Sequence, residues 1–245
     1  MADTIQSDAR ADAILARAAR RLIPVMALMY VASFLDRVNV GFAILTMKQD
    51  LGFSPEVFGL GAGIFFWGYF LFEIPSNLML EKFGARMWMC RIMVTWGLIS
   101  MATAFVQGPT SFYILRFLLG LAEAGLYPGM ILYMTYWFPQ ATRARFIALF
   151  LAAVPAASVI GAPLSGWLLD FNGILHGWQW MLLLEGLPSL VLGVAVLWLL
   201  PDRPATAPWL NAEEKKILEA RLADDRRADV GKHTMSGFWE MLKDK

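Results

Sequence analysis

Apolar residues gather into six runs of membrane-crossing length, and most polar residues fall between them. A spanning helix needs about 20 consecutive, predominantly apolar residues. Residues 22–47, 57–80, 88–106, 111–138, 146–169 and 178–200 each meet that requirement with few charges. Turn chemistry separates the runs at Gly52-Phe53-Ser54-Pro55, Phe83-Gly84-Ala85-Arg86, Gly108-Pro109, Pro139-Gln140 and Asn172-Gly173. The pattern predicts an all-α integral membrane bundle of six transmembrane helices over 22–200. A segment at 1–21 precedes the bundle and a polar linker at 201–245 follows it. The Ala/Arg-rich stretch before Leu22 leads into a run too long for a cleaved signal core, so the first span reads as an uncleaved anchor. Glycine and proline recur inside spans two, four and five, where small residues permit close helix packing and prolines permit kinks.

Loop charge sets the expected orientation. One set of segments holds Arg10, Arg17, Arg20 and Arg21, then Lys82, Arg86 and Arg91, then Arg143 and Arg145; the alternate loops hold Lys48 alone. Basic loops stay on the cytoplasmic side, which places both termini inside. Beyond Leu200, Pro201-Asp202-Arg203-Pro204 stops the last span. Asn211 and Glu214 have capping-box spacing for a charged surface helix running to about residue 227, and Phe238-Trp239-Glu240-Met241-Leu242 opens another.

Composition narrows the function. Of 245 residues 58% are hydrophobic, and 21 basic residues face 20 acidic ones, so no net field favours nucleic acid. Cys90 is the single cysteine, and His176 and His233 stand far apart, so no disulfide, metal or cofactor site is expected. No nucleophile–base–acid set or phosphate loop occurs either, which argues against an enzyme.

The informative residues are charges inside the spans. The first run carries only Asp36 and Arg37, and the fourth only Arg116 and Glu123. An ionised group at the bilayer centre costs about 2.5–3.5 kcal/mol even on lenient scales, so such residues face a polar interior and are functional candidates. Arg116, Gly120, Glu123 and Tyr127 share one face of an ideal helix. Arg116 and Glu123 lie about 10.5 Å apart along it, too far to pair directly. Asp36 and Arg37 point about 100° apart and do not neutralise each other. Ser33 and Asn39 add polarity beside Asp36, and Glu73 is a fifth buried charge. Glu185 falls near the outer end of span six, where a snorkelling carboxylate is expected. Phe65, Phe66, Trp67 and Tyr69 read mostly as lipid-facing or packing residues, with Tyr69 also a candidate for lining the cavity. Desolvation favours the neutral form of a carboxyl, so an interior with three acids and two arginines should take up a proton readily. That proton would release an arginine to bind an anion. A static charge network holding the helices in register is the competing reading.

These residues resemble a known pattern. The stretches are Tyr30 with Leu35-Asp36-Arg37-Val38-Asn39-Val40-Gly41, Phe72-Glu73-Ile74-Pro75-Ser76-Asn77-Leu78, and the run from Arg116 through Glu123 to Tyr127-Pro128-Gly129. With Gly177-Trp178-Gln179-Trp180 and Leu200-Pro201-Asp202-Arg203-Pro204, they are similar to the N-terminal half of a major facilitator superfamily transporter. Within it they resemble the anion:cation symporter family, near its tartrate and organic-acid members. The resemblance implies a 3+3 inverted repeat, substrate contacts from Arg37 and Arg116, and proton coupling through Asp36 and Glu123; Asn39, Tyr30 and Tyr127 are further candidate substrate contacts and Glu73 a further candidate for proton coupling. It implies a cytoplasmic gate motif carried by Glu81, Gly84 and Arg86, with Asn77 standing where glycine is usual. The expected partners are a small organic anion, H⁺ in preference to Na⁺, the lipid bilayer of a bacterial inner membrane, and a second six-helix half or second copy. The other expectation is a truncated or regulatory membrane module that binds an anion or a partner half without transport.

Overall fold

A computed structural model describes residues 2–171 and 173–230. Asn172 and the expected helix at 238–242, with His233, lie outside the described residues. Among the described residues nine α-helices follow one another: α1 Ala2–Leu51, α2 Pro55–Phe83, α3 Ala85–Ala102, α4 Pro109–Glu123, α5 Leu126–Trp137, α6 Gln140–Leu151, α7 Ala153–Leu169, α8 Gly177–Leu199 and α9 Ala212–Val230. There is no strand among the described residues. The bundle is all-α, as the apolar periodicity predicts.

Two expected spans are interrupted, each next to a proline. Span four divides into α4 and α5 at Ala124-Gly125, where Gly125 adopts φ +86°. Pro128 has no N–H for the Ala124 carbonyl, and its ring crowds that oxygen. The left-handed turn at Gly125 carries the chain across the gap, with Ser76 of α2 packed where a side chain would sit. Span five divides into α6 and α7 at Ala152, because Pro155 stands in the same relation to the Leu151 carbonyl. Five helical stretches among the described residues are long and apolar enough to cross a membrane. The α6–α7 pair, with its shorter apolar stretch Ala157–Leu169, makes the sixth crossing.

The first helix starts well before Leu22. Residues 2–21 continue the same helix, and Ile14, Leu15, Ala18 and Leu22 are buried in the core cluster that also contains Leu218 and Leu222 of α9. Close backbone contact organises the middle of the bundle. A Cβ on Gly120 of α4 would strike the Phe65 carbonyl of α2, and one on Gly68 of α2 would strike the Phe117 carbonyl. Small residues on both sides let the backbones touch, the usual way of gaining dispersion energy where lipid supplies no hydrophobic drive. α3 and α8 meet through Gly97 and Gly186 in the same manner. Outward faces stay apolar, with Phe66, Trp67, Phe70 and Ile74 of α2 exposed.

The chain after α8 folds back onto the basic-loop end. Asn211 and Glu214 form the expected reciprocal cap, with the Glu214 N–H donating to Asn211 Oδ1 at 2.8 Å and the Asn211 N–H to Glu214 Oε2 at 3.0 Å. Arg10 of α1 makes two parallel bonds to Glu213, at 2.7 and 3.0 Å, and Arg17 pairs with Glu214. Trp209 stacks on Trp137 under the Arg21 guanidinium.

Candidate functional site

Arg37 and Glu123 meet across the middle of the bundle. Glu123 is the last residue of α4, so the break at Gly125 fixes its position, and its side chain is fully buried. Its Oε1 accepts from Arg37 Nε at 2.8 Å and from Ser33 Oγ at 2.6 Å, both donated by α1. Ser33 and Arg37 are one turn apart and share a face. Glu123 Oε2 is buried with no hydrogen-bond partner.

Arg116 enters from α4 two turns earlier. Only 6% of its surface is exposed, its Nε reaches the Gly61 carbonyl at 3.4 Å, and its Nη1 is buried without a partner. Among the described residues it pairs with no carboxylate, in keeping with its axial distance from Glu123. Phe65 of α2 lies under both cations, 4.7 Å from the Arg116 guanidinium carbon and 5.9 Å from that of Arg37. Tyr69, one turn on, carries Arg37 at 5.1 Å. Cation–π contact of this kind holds a guanidinium without neutralising it, leaving its N–H groups for an anion. Phe65 is thus a floor for both arginines rather than a lipid-facing residue. An apolar aromatic in an apolar span gives no signal of that role in sequence.

The remaining candidates divide. The Tyr30 and Tyr127 rings meet at 5.6 Å, tilted by 37°, and buried Phe150 braces both. Tyr127 reaches this place from α5, across the break, not by continuing the α4 face. Asp36 points away from Arg37, as their angular offset requires, and accepts from Ser100 Oγ of α3. Asn39 is 1% exposed and neither side-chain polar atom has a partner. The structure does not bring Glu73 to the arginines. Its side chain is half-buried one turn beyond Tyr69, and only its backbone carbonyl is engaged, by Asn77 Nδ2 at 2.9 Å.

Glu185 overturns the expectation of a snorkelling carboxylate. It lies eight residues into α8, about 12 Å along the helix, too deep for so short a side chain to reach water. It is 4% exposed and accepts from Ser165 Oγ of α7 at 2.9 Å. Hydropathy located the depth poorly and could not reveal the facing helix.

At the basic-loop end two residues of the expected gate motif, Gly84 and Arg86, meet Asp202. The Arg86 backbone N–H donates to Asp202 Oδ1 at 2.8 Å, and Gly84, at φ +90°, lets the carboxylate approach. Among the described ion pairs Glu81 makes none, so Arg86 is held by the linker rather than by its motif neighbour.

This geometry can be set beside known proteins. Residues 26–243 match the family model described as Major Facilitator Superfamily. The chain belongs to that family. Its relatives include a "Putative tartrate transporter" of Agrobacterium vitis, 60% identical over 200 residues that cover 81% of this chain and 44% of the relative. The inner membrane transport protein RhmT of Escherichia coli is 42% identical, covering 91% of this chain and 53% of that one. The chain spans about half the length of the curated relatives it matches. The fold also matches the xylose transporter XylE of E. coli in a partially occluded inward-open conformation, at TM-score 0.70 and 12% identity, covering 85% of this chain and 57% of that one. The chain is therefore a multi-pass membrane protein of a transporter family, not an enzyme.

Proposed function

We propose that this chain is the first six-helix half of a proton-coupled symporter for a small organic anion, tartrate or a related carboxylate. It would sit in a bacterial inner membrane with both termini cytoplasmic, on the side of the basic loops. The carrying observation is the Glu123 carboxylate, which occupies Arg37 while Arg116 beside it keeps a buried, unpartnered N–H. Protonating Glu123 removes the charge that holds Arg37. Arg37 and Arg116 then present two cations on the Phe65 and Tyr69 rings to an incoming dianion, whose hydroxyls find Tyr30, Tyr127 and Asn39. Release of the anion lets Arg37 return to Glu123 and expels the proton. Asp36, held by Ser100 on another side of α1, is the second titrating acid of this reading. The names of the relatives support an organic-acid substrate, and charge complementarity supports an anion. The cavity would be completed by a second six-helix half rocking against this one.

The test uses this chain joined to the second half of the A. vitis relative, reconstituted in proteoliposomes. An inward proton gradient should drive accumulation of labelled tartrate. Glu123→Gln should abolish accumulation and retain exchange of internal for external anion. Undiminished accumulation by that variant would sink the assignment. Tartrate binding without uptake in the unsubstituted protein would favour the binding-module reading.

A further inference from the structure

A third buried acid, unused by that cycle, lies where α1 meets α7 and α8. Glu185 Oε1 accepts from Ser165, while Oε2 is buried with no partner. Ser189, one turn further along α8, is fully buried, and its hydroxyl also lacks a partner. No cation is paired with Glu185 among the described residues. The charged group that acts on it is Asp36 of α1, which has the same sign. α7 contributes only the Ser165 hydroxyl. A cavity of about 270 Å³ reaches Glu185 between Leu35, Leu164 and Pro188. A second cavity, of about 140 Å³, lies beyond Ser165 and is lined by Asn39 and Gly161. Leu35, next to Asp36, borders both.

An ionised carboxylate so placed would have one hydroxyl donor and a like charge nearby, in surroundings of low dielectric. Buried charges persist only when paired or bonded on every side. The neutral acid fits this place. A proton on Oε2 needs one acceptor, and the Ser189 oxygen on the same helix face can supply it.

We propose that Glu185 is a further proton-binding site, where α1 meets α7 and α8, apart from the Arg37–Glu123 pair and served by Ser165, Ser189 and the two cavities. Sodium fits less well. It asks for several oxygens at once, and only Asn39, Ser165, Glu185 and Ser158, whose hydroxyl donates to the Val154 carbonyl, give polar lining to cavities whose other walls are largely apolar. The site adds to the symport reading but its occupancy does not depend on it.

Dicyclohexylcarbodiimide attacks protonated carboxyls in apolar surroundings and leaves a stable adduct that peptide mass spectrometry can place. The full chain in liposomes should be labelled at Glu185 in acidic medium. Labelling should fall about tenfold per pH unit above its midpoint, the response of a single titrating group, and be equal in sodium and potassium. Ser165→Ala, which keeps the acid but removes its donor, should carry labelling to more alkaline pH. Glu185 left unlabelled at every pH while Asp36 or Glu123 reacts would overturn the proposal, and so would protection by sodium at fixed pH. Neither result depends on tartrate uptake, so failure here is distinct from failure of the symport reading.

Discussion

Helix α1 makes arginine–glutamate pairs at two levels, and they behave as different objects. Near mid-span Arg37 meets a Glu123 with no exposed surface, over two aromatic rings. At the basic-loop end Arg10 meets Glu213 with more than half of each side chain exposed. Pairs of the second kind contribute about 0–1 kcal/mol, because water competes for both partners. Breaking a buried pair costs about 3–5 kcal/mol, because the remaining charge has nowhere to go. The same two residue types thus make an exchangeable seat in one place and a mild fastening in the other. What separates them is depth and the company of Phe65, Tyr69 and Ser33.

The largest effect should follow from removing one side of the inner pair. Arg37→Ala leaves Glu123 uncompensated and should abolish anion uptake while destabilising the bundle by about 1–3 kcal/mol, less than for a fully enclosed pair because 39% of the Arg37 side chain is exposed. Adding Glu123→Gln to that variant should recover most of the stability and none of the uptake. Thermal unfolding in detergent reads the first and proteoliposome flux the second. A double variant as unstable as the single one would show that the pair is not the source of the loss.

Next comes the packing that positions Arg116 and Glu123 on either side of Gly120. Gly120→Ala forces a methyl against the Phe65 carbonyl and should cost about 1–3 kcal/mol, the usual range for overpacking. Gly166→Ala, on α7 with open space around it, should cost nothing measurable. Equal effects in the two would mean that α2 and α4 do not touch as described.

The spans and their charged residues were legible in the sequence because burying an ion is costly enough to leave a signature. Arg37, Glu123 and Arg116 stand out against apolar neighbours for that reason alone. Pairing was not legible. Hydropathy reports depth along a helix but not the facing partner, so nothing in the sequence shows that Ser33, which adds polarity near Asp36, donates to Glu123. The same blindness put Glu185 at the interface, since Ser165 lies twenty residues away on another helix. Gly125 and Pro128 signalled a kink, yet a straight helical face was drawn through them to Tyr127. At the linker the Asn211–Glu214 box was readable because capping is local, while the Trp209–Trp137 stack is not local and was missed.

The smallest effects belong to the linker fastening, and they test the comparison from its weak side. Asn211→Ala should lower the stability of the α9 start by about 0.5–2 kcal/mol, the range for losing an N-cap. Glu214 is held below the usual glutamate range, first by the Asn211 backbone N–H and then by Arg17. A depressed carboxylate stabilises fully above its unfolded pKa, near 4.3, and loses that contribution as pH falls through the lower folded value. The α9 fastening should therefore be intact at neutral pH and loosen only in acid below that point. Molar salt should weaken it too, since screening acts on exposed charges. Amide exchange over the first turn of α9 reads both changes. The Arg37–Glu123 region should not respond to the same salt, because Glu123 is closed to counterions. Matching salt responses at the two levels would erase the distinction drawn between them.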